Sequence, residues 1–178
     1  MTRWETAEER HERNSWWQQA LDNPEIKSQI VETNEAVTRG ELTLAQVGGI
    51  TDEQLNAAYA ATCKLLGTGK LDEAIQIAGY LIMISPWDAR FYHLAGLCFH
   101  NKRLYDASLQ YFGVALAFGD DPVILIAKGE TLLMLGRRDE ARQALEQGID
   151  LAKPGDARVE SHVTRSHQLL ATYLGGSR

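Results

Sequence analysis

Three short segments of this chain resemble one another: Leu71-Asp72-Glu73-Ala74, Leu104-Tyr105-Asp106-Ala107 and Arg138-Asp139-Glu140-Ala141. Their alanines stand 33 and 34 residues apart. Self-similarity at such a period marks stacked units that bury their apolar faces on one another. The alanine is expected where the two helices of a unit cross, because a larger side chain there would push them apart.

The period is that of a tetratricopeptide repeat, a helix–turn–helix unit of about 34 residues. Local punctuation agrees with it. Thr51 caps a first helix, with Gln54 reaching back in a capping box. Gly67 and Gly69 end that helix, and Leu71 starts its partner. Ser85-Pro86 stops the partner, since the residue before proline avoids the helical region. Asp88 opens the next helix, to about Asn101, and a fourth runs from about Tyr105 to Phe118 and ends at Gly119. Asp121-Pro122 pairs a cap with a first-turn proline. Gly136 ends that fifth helix, Asp139 begins the sixth, and Lys153-Pro154-Gly155 closes the array. Asp156 then caps a further helix carrying Val159, Val163, Leu169 and Leu170 and stopping at Gly175-Gly176, as an array end requires.

Ahead of the repeats, Asn23-Pro24 opens an amphipathic helix with the stripe Ile26, Ile30, Val31 and Val37, ending at Arg39-Gly40. That stripe has no partner within the repeats, so a second copy of the chain is its expected partner, giving a homodimer. The segment from Thr43 to Thr51 is too apolar for a free linker and is expected to tuck against the first repeat. Trp4, Trp16 and Trp17 lie in a charged stretch and suit an interface or packing back on the repeats. The expected fold is all-α. Residues 1–50 form a helical arm and lead-in, 51–155 three tetratricopeptide hairpins, and 156–178 a capping helix.

Composition narrows the function. The chain has 178 residues, 44% hydrophobic and 24% charged, an ordinary soluble balance. A net charge of −6 argues against nucleic acid as the main partner, because phosphate binding needs a basic face. No apolar run is long enough to span a bilayer, and the first ten residues lack the apolar core of a secretory signal, so a cytoplasmic protein with no membrane insertion is expected. Cys63 and Cys98 fall in helical patterns and read as reduced thiols. His162 and His167 are five apart, not the four that places two ligands on one helix face, and Cys98 and His100 point different ways. Neither a metal or other cofactor nor catalysis is expected.

In such arrays the first helix of each repeat lines the inner surface. With Ala74, Ala107 and Ala141 taken as equivalent, repeat one offers Asn56, Tyr59, Cys63 and Leu66. Repeat two offers Tyr92, Gly96, Phe99 and His100. Repeat three offers Val123, Ile126, Glu130 and Leu133. This lining is mostly apolar with few charges and suits an extended peptide with apolar anchors. A general tetratricopeptide scaffold, joining folded proteins in envelope or pilus assembly, is the alternative from a different class.

Three stretches carry a closer likeness. They are Thr43-Leu44-Ala45 through Ile50-Thr51, then Ser85-Pro86-Trp87-Asp88-Ala89-Arg90-Phe91-Tyr92, then Gly96-Leu97-Cys98 with Leu104-Tyr105-Asp106-Ala107, Gly113 and Pro122. In this order they resemble the tetratricopeptide (class II) chaperones of bacterial type III secretion, which hold hydrophobic translocator proteins before export. The likeness covers roughly residues 40 to 153. It implies a non-enzymatic protein binding an extended N-terminal segment of a translocator, with prolines and a leucine as anchors. The family's groove aromatics in the first repeat fall on Tyr59, Cys63 and Leu66, of which only Tyr59 is aromatic here. The resemblance also implies a dimer through N-terminal helices, about residues 24 to 40.

Overall fold

The structure, a computed structural model, describes Ser15, residues 22–153 and residues 155–174. Trp4, Trp16, Trp17, Pro154 and Gly175-Gly176 lie outside these residues. The described residues are all-α, with nine α-helices, a closing π-helical turn and no strand. Two compact units divide at Ile50 and Thr51.

In the first unit, α1 spans Pro24–Thr38 and α2 spans Leu44–Val47. The Asn23 side chain accepts from the Glu25 backbone N–H at 2.9 Å, satisfying one otherwise orphaned donor of the first turn. Thr43 and Gln46 form a reciprocal capping box that holds the short α2, and Ala45 is buried. On α1, Ile26, Ile30 and Val37 are half-buried and Val31 is exposed.

The second unit contains three helical hairpins and a final helix. These are α3 (Asp52–Gly67) with α4 (Leu71–Ile84), α5 (Ala89–Asn101) with α6 (Tyr105–Ala117), and α7 (Pro122–Met134) with α8 (Arg138–Leu151), followed by α9 (Ala157–Leu169). Leu170–Leu174 finish as a π-helical turn. Thr51 with Gln54, Asp88, Asp121 and Asp156 cap α3, α5, α7 and α9. The second helix of each hairpin has no side-chain cap and starts directly from a tight turn. The central turn residue is left-handed each time: Gly69 at φ 77°, Arg103 at φ 62° and Gly136 at φ 73°. Glycine takes that conformation freely; arginine takes it at a cost.

The core runs along the array as a chain of small clusters. Ala74 and Ala78 of α4 meet Leu94, Ala95 and Cys98 of α5. Phe112 and Ala115 of α6 meet Ile124 of α7. Ile126 of α7, Leu145 of α8 and Val159 of α9 close the end. The first two clusters join neighbouring hairpins and the third joins the last hairpin to α9, so every repeat depends on the next element for its burial.

Candidate functional site: the surface lined by the first helices

The helix crossings set the register of everything that faces the inner surface. On α5, a Cβ at Gly96 would stand 2.5 Å from the Phe112 ring. On α7, a Cβ at Gly129 would stand 2.7 Å from Leu145. Both glycines are required by close approach of the second helix. Each lies twelve residues before its partner at the crossing, Gly96 before Ser108 and Gly129 before Ala141, as Thr62 lies before Ala74. Ser108 is fully buried, and its hydroxyl donates to the Gly96 carbonyl at 2.8 Å.

Ser108, not Ala107, is therefore the equivalent of Ala74 and Ala141. Ala74 and Ala141 are fully buried, whereas Ala107 is only half-buried. The small residue must be the fourth of its helix to reach the crossing; Ala107 is the third of α6 and points away. The tetrad likeness that suggested Ala107 is a coincidence of sequence displaced by one residue. The left-handed turn positions 69, 103 and 136 carry the correct spacing, but the arginine at the middle one hides it from the sequence.

This displacement corrects the expected lining of repeat two. Gly96 is buried at the crossing rather than lining a groove. Phe99 stacks on Tyr111 of its own hairpin, with centroids 5.0 Å apart and planes at 9°. Tyr92 packs by Phe118 at 5.7 Å, and burial raises its phenol pKa. The positions equivalent to Asn56, Tyr59, Cys63 and Leu66 are Arg90, His93, Leu97 and His100. Of the expected four, His100 alone keeps its place; its Nδ1 lies 2.8 Å from the Thr131 hydroxyl.

Repeat one presents Asn56 exposed and Tyr59, Cys63 and Leu66 half-buried. The Tyr59 ring lies 6.3 Å from that of Phe91, and the Arg90 guanidinium lies 5.7 Å from both ring centroids. Burial pushes the Tyr59 phenol up to about 12, with the adjacent Cys63 thiol adding to the shift. Both cysteines are free thiols; burial pushes the Cys98 thiol up to about 11, which makes it unreactive. Arg90 donates through Nη1 to the Asn56 side-chain oxygen at 2.9 Å, tying repeat one to repeat two.

Repeat three is covered. Ile126 is fully buried with Leu145 and Val159, and Val123, Leu133 and Val163 pack around them. Glu130 is paired with Arg165 of α9 at 2.7 Å. Burial raises the Glu130 carboxyl pKa, against the pull of Arg165 and His162. The capping helix thus occupies the inner positions Val123, Ile126, Glu130 and Leu133 and leaves the inner surface of repeats one and two. At the junction, His93 Nε2 is buried with no hydrogen-bond partner among the described residues. Burial holds that imidazole down at about 4, opposed by Asp121 and reinforced by His162. No group of three or more His, Cys, Asp or Glu side chains placed to hold a metal ion occurs among the described residues. No described helix is long and apolar enough to cross a membrane.

No family model and no curated protein matches the chain. Solved structures do. SycD, a type III secretion translocator chaperone of Yersinia enterocolitica, matches with a TM-score of 0.67 at 22% identity, over 72% of this chain and 96% of SycD. A type III secretion complex from Aeromonas hydrophila matches with a TM-score of 0.69 at 23% identity, over 79% of this chain and 93% of that one. PcrH in complex with the chaperone binding region of PopB matches with a TM-score of 0.62 at 26% identity, over 68% of this chain and 98% of PcrH. The fold of this chain is that of the type III secretion translocator chaperones represented by SycD and PcrH.

Proposed function

We propose that this protein is a cytoplasmic type III secretion chaperone that holds an extended, apolar-anchored segment of a secreted translocator on the inner surface of repeats one and two. The observation that carries this reading is the likeness to PcrH bound to the chaperone binding region of PopB, spanning nearly all of PcrH. The surface is suited to the task. Tyr59, Cys63, Leu66 and Leu97 offer half-buried apolar footing, and an aromatic anchor such as Tyr59 on such a surface is worth about 2 kcal/mol. The protein acts by holding its ligand, shielding it until export, with no reaction of its own. The Ile26, Ile30, Val31 and Val37 face of α1 is the proposed contact with a second copy. Light scattering should find a dimer that dissociates more readily after Ile30→Asp; a monomer at high concentration before the change would remove this part.

The test of the main reading is co-expression with a translocator of the type III secretion system of the same organism. The translocator should stay soluble and purify with the chaperone. An insoluble translocator and an empty chaperone would count against it.

A further inference from the structure

Arg90 and Asn56 stand at equivalent inner positions of neighbouring repeats, 34 residues apart, and touch. Arg90 is also held by Asp88: Nε donates to Oδ1 at 3.0 Å and Nη2 to Oδ2 at 2.6 Å. The charge of the guanidinium is thus largely compensated by a two-point carboxylate partner. Its Nη1 contact fixes the orientation of Asn56. Because Arg90 is donor-only, the Asn56 atom it meets is the carbonyl oxygen, and the Asn56 NH2 group is turned the other way. That NH2 group makes no hydrogen bond among the described residues, and Asn56 is exposed.

From this geometry we propose that Asn56, aimed by Arg90, is a specificity-determining donor that reads a main-chain carbonyl of the extended ligand. The inference rests on the chaperone reading above and deepens it. Two facts select a neutral acceptor over a carboxylate. Arg90 already carries a carboxylate partner, and a second anion would be brought close to Asp88. Asn56 lies one helical turn from Tyr59, about 4.5 Å along the axis. One to two extended residues span that distance. A ligand with an apolar side chain on Tyr59 therefore carries a main-chain carbonyl within reach of the Asn56 donors. The pair gives an otherwise apolar surface a fixed point of register, since apolar contact alone tolerates sliding.

The test uses a synthetic N-terminal segment of a translocator from the type III secretion system of the same organism, titrated against the chaperone. Asn56→Asp keeps the oxygen that accepts from Arg90 and replaces the donor by a second oxygen. It should weaken binding about tenfold while leaving thermal unfolding unchanged. Asn56→Ala should weaken binding less, about threefold to fivefold, by the same factor at low and high salt. Binding by Asn56→Asp as tight as wild type, or tighter, would overturn the inference, because the ligand would then present a donor or nothing at all. A loss in Asn56→Ala that shrinks as salt rises would overturn the carbonyl assignment in favour of a ligand carboxylate. Absence of binding by the wild-type protein is a separate result and rejects the chaperone reading itself.

Discussion

Repeat one and repeat three carry their inner positions at the same spacing, yet the two meet different fates. In repeat one, Asn56 is exposed and Tyr59, Cys63 and Leu66 are half-buried. In repeat three, the equivalent Val123, Ile126, Glu130 and Leu133 lie against α9, and Ile126 has no exposed surface at all. A position in an array has no intrinsic role; the next element decides whether it becomes core or binding surface. The last repeat has no further repeat to stack upon, so its apolar inner row is consumed by the capping helix. The open row, two hairpins away from that cap, keeps its apolar side chains available.

The largest expected effect separates the two rows by stability. Ile126→Ala removes a side chain enclosed by Leu145 and Val159 and should cost about 2–5 kcal/mol in urea unfolding. Leu66→Ala, half-buried in the open row of repeat one, should cost about 1–2 kcal/mol. Equal losses at the two sites would break the distinction.

A second test uses pH. His93 sits at the boundary between open and covered rows, held down to about 4 from an ordinary 6.5. Below 6.5 the unfolded chain takes up a proton that the folded protein refuses. Stability is therefore lost as pH falls from 6.5 towards 4, by up to about 3 kcal/mol. His100 is shifted in the same sense and Glu130 in the opposite one. His93→Leu should flatten much of this acid limb; an unchanged limb would show that His93 titrates freely.

The smallest effect concerns the turns. Arg103 occupies the left-handed position that glycine holds in the other two hairpins. Arg103→Gly should relieve strain and raise stability by about 0.5–1 kcal/mol. A loss of stability would mean that the arginine side chain contributes more than its backbone costs.

Much of this architecture is legible in the sequence. Helix starts announced themselves chemically: Thr51 with Gln54, and Asp121 before Pro122, cap α3 and α7 as their residue types require. The all-α array followed from the repeat. What failed was register within repeat two. Ala107 looked right because it follows Leu104-Tyr105-Asp106, but the crossing is read by helix phase, and phase is set where the turn ends. Ser108 is buried there by donating its hydroxyl to the Gly96 carbonyl, a bond that sequence does not display. That displacement of one residue leaves Phe99 and Tyr92 in ring contact with Tyr111 and Phe118 and puts Arg90, His93 and Leu97 at the inner positions of repeat two. That a final helix covers the last repeat is legible from Asp156 and the stripe Val159, Val163, Leu169 and Leu170; that it takes the inner row is not, because Arg165 meets Glu130 only once α9 has folded back.

The central claim is that the open row binds the translocator. The most direct measurement is calorimetric titration of the translocator segment into wild type, Tyr59→Ala, and a control with Gln110→Ala and Gln143→Ala on exposed positions of α6 and α8. Tyr59→Ala should weaken binding tenfold or more, about 1.4 kcal/mol per decade, while the control binds like wild type. A folded Tyr59→Ala protein that binds at full strength would contradict the account.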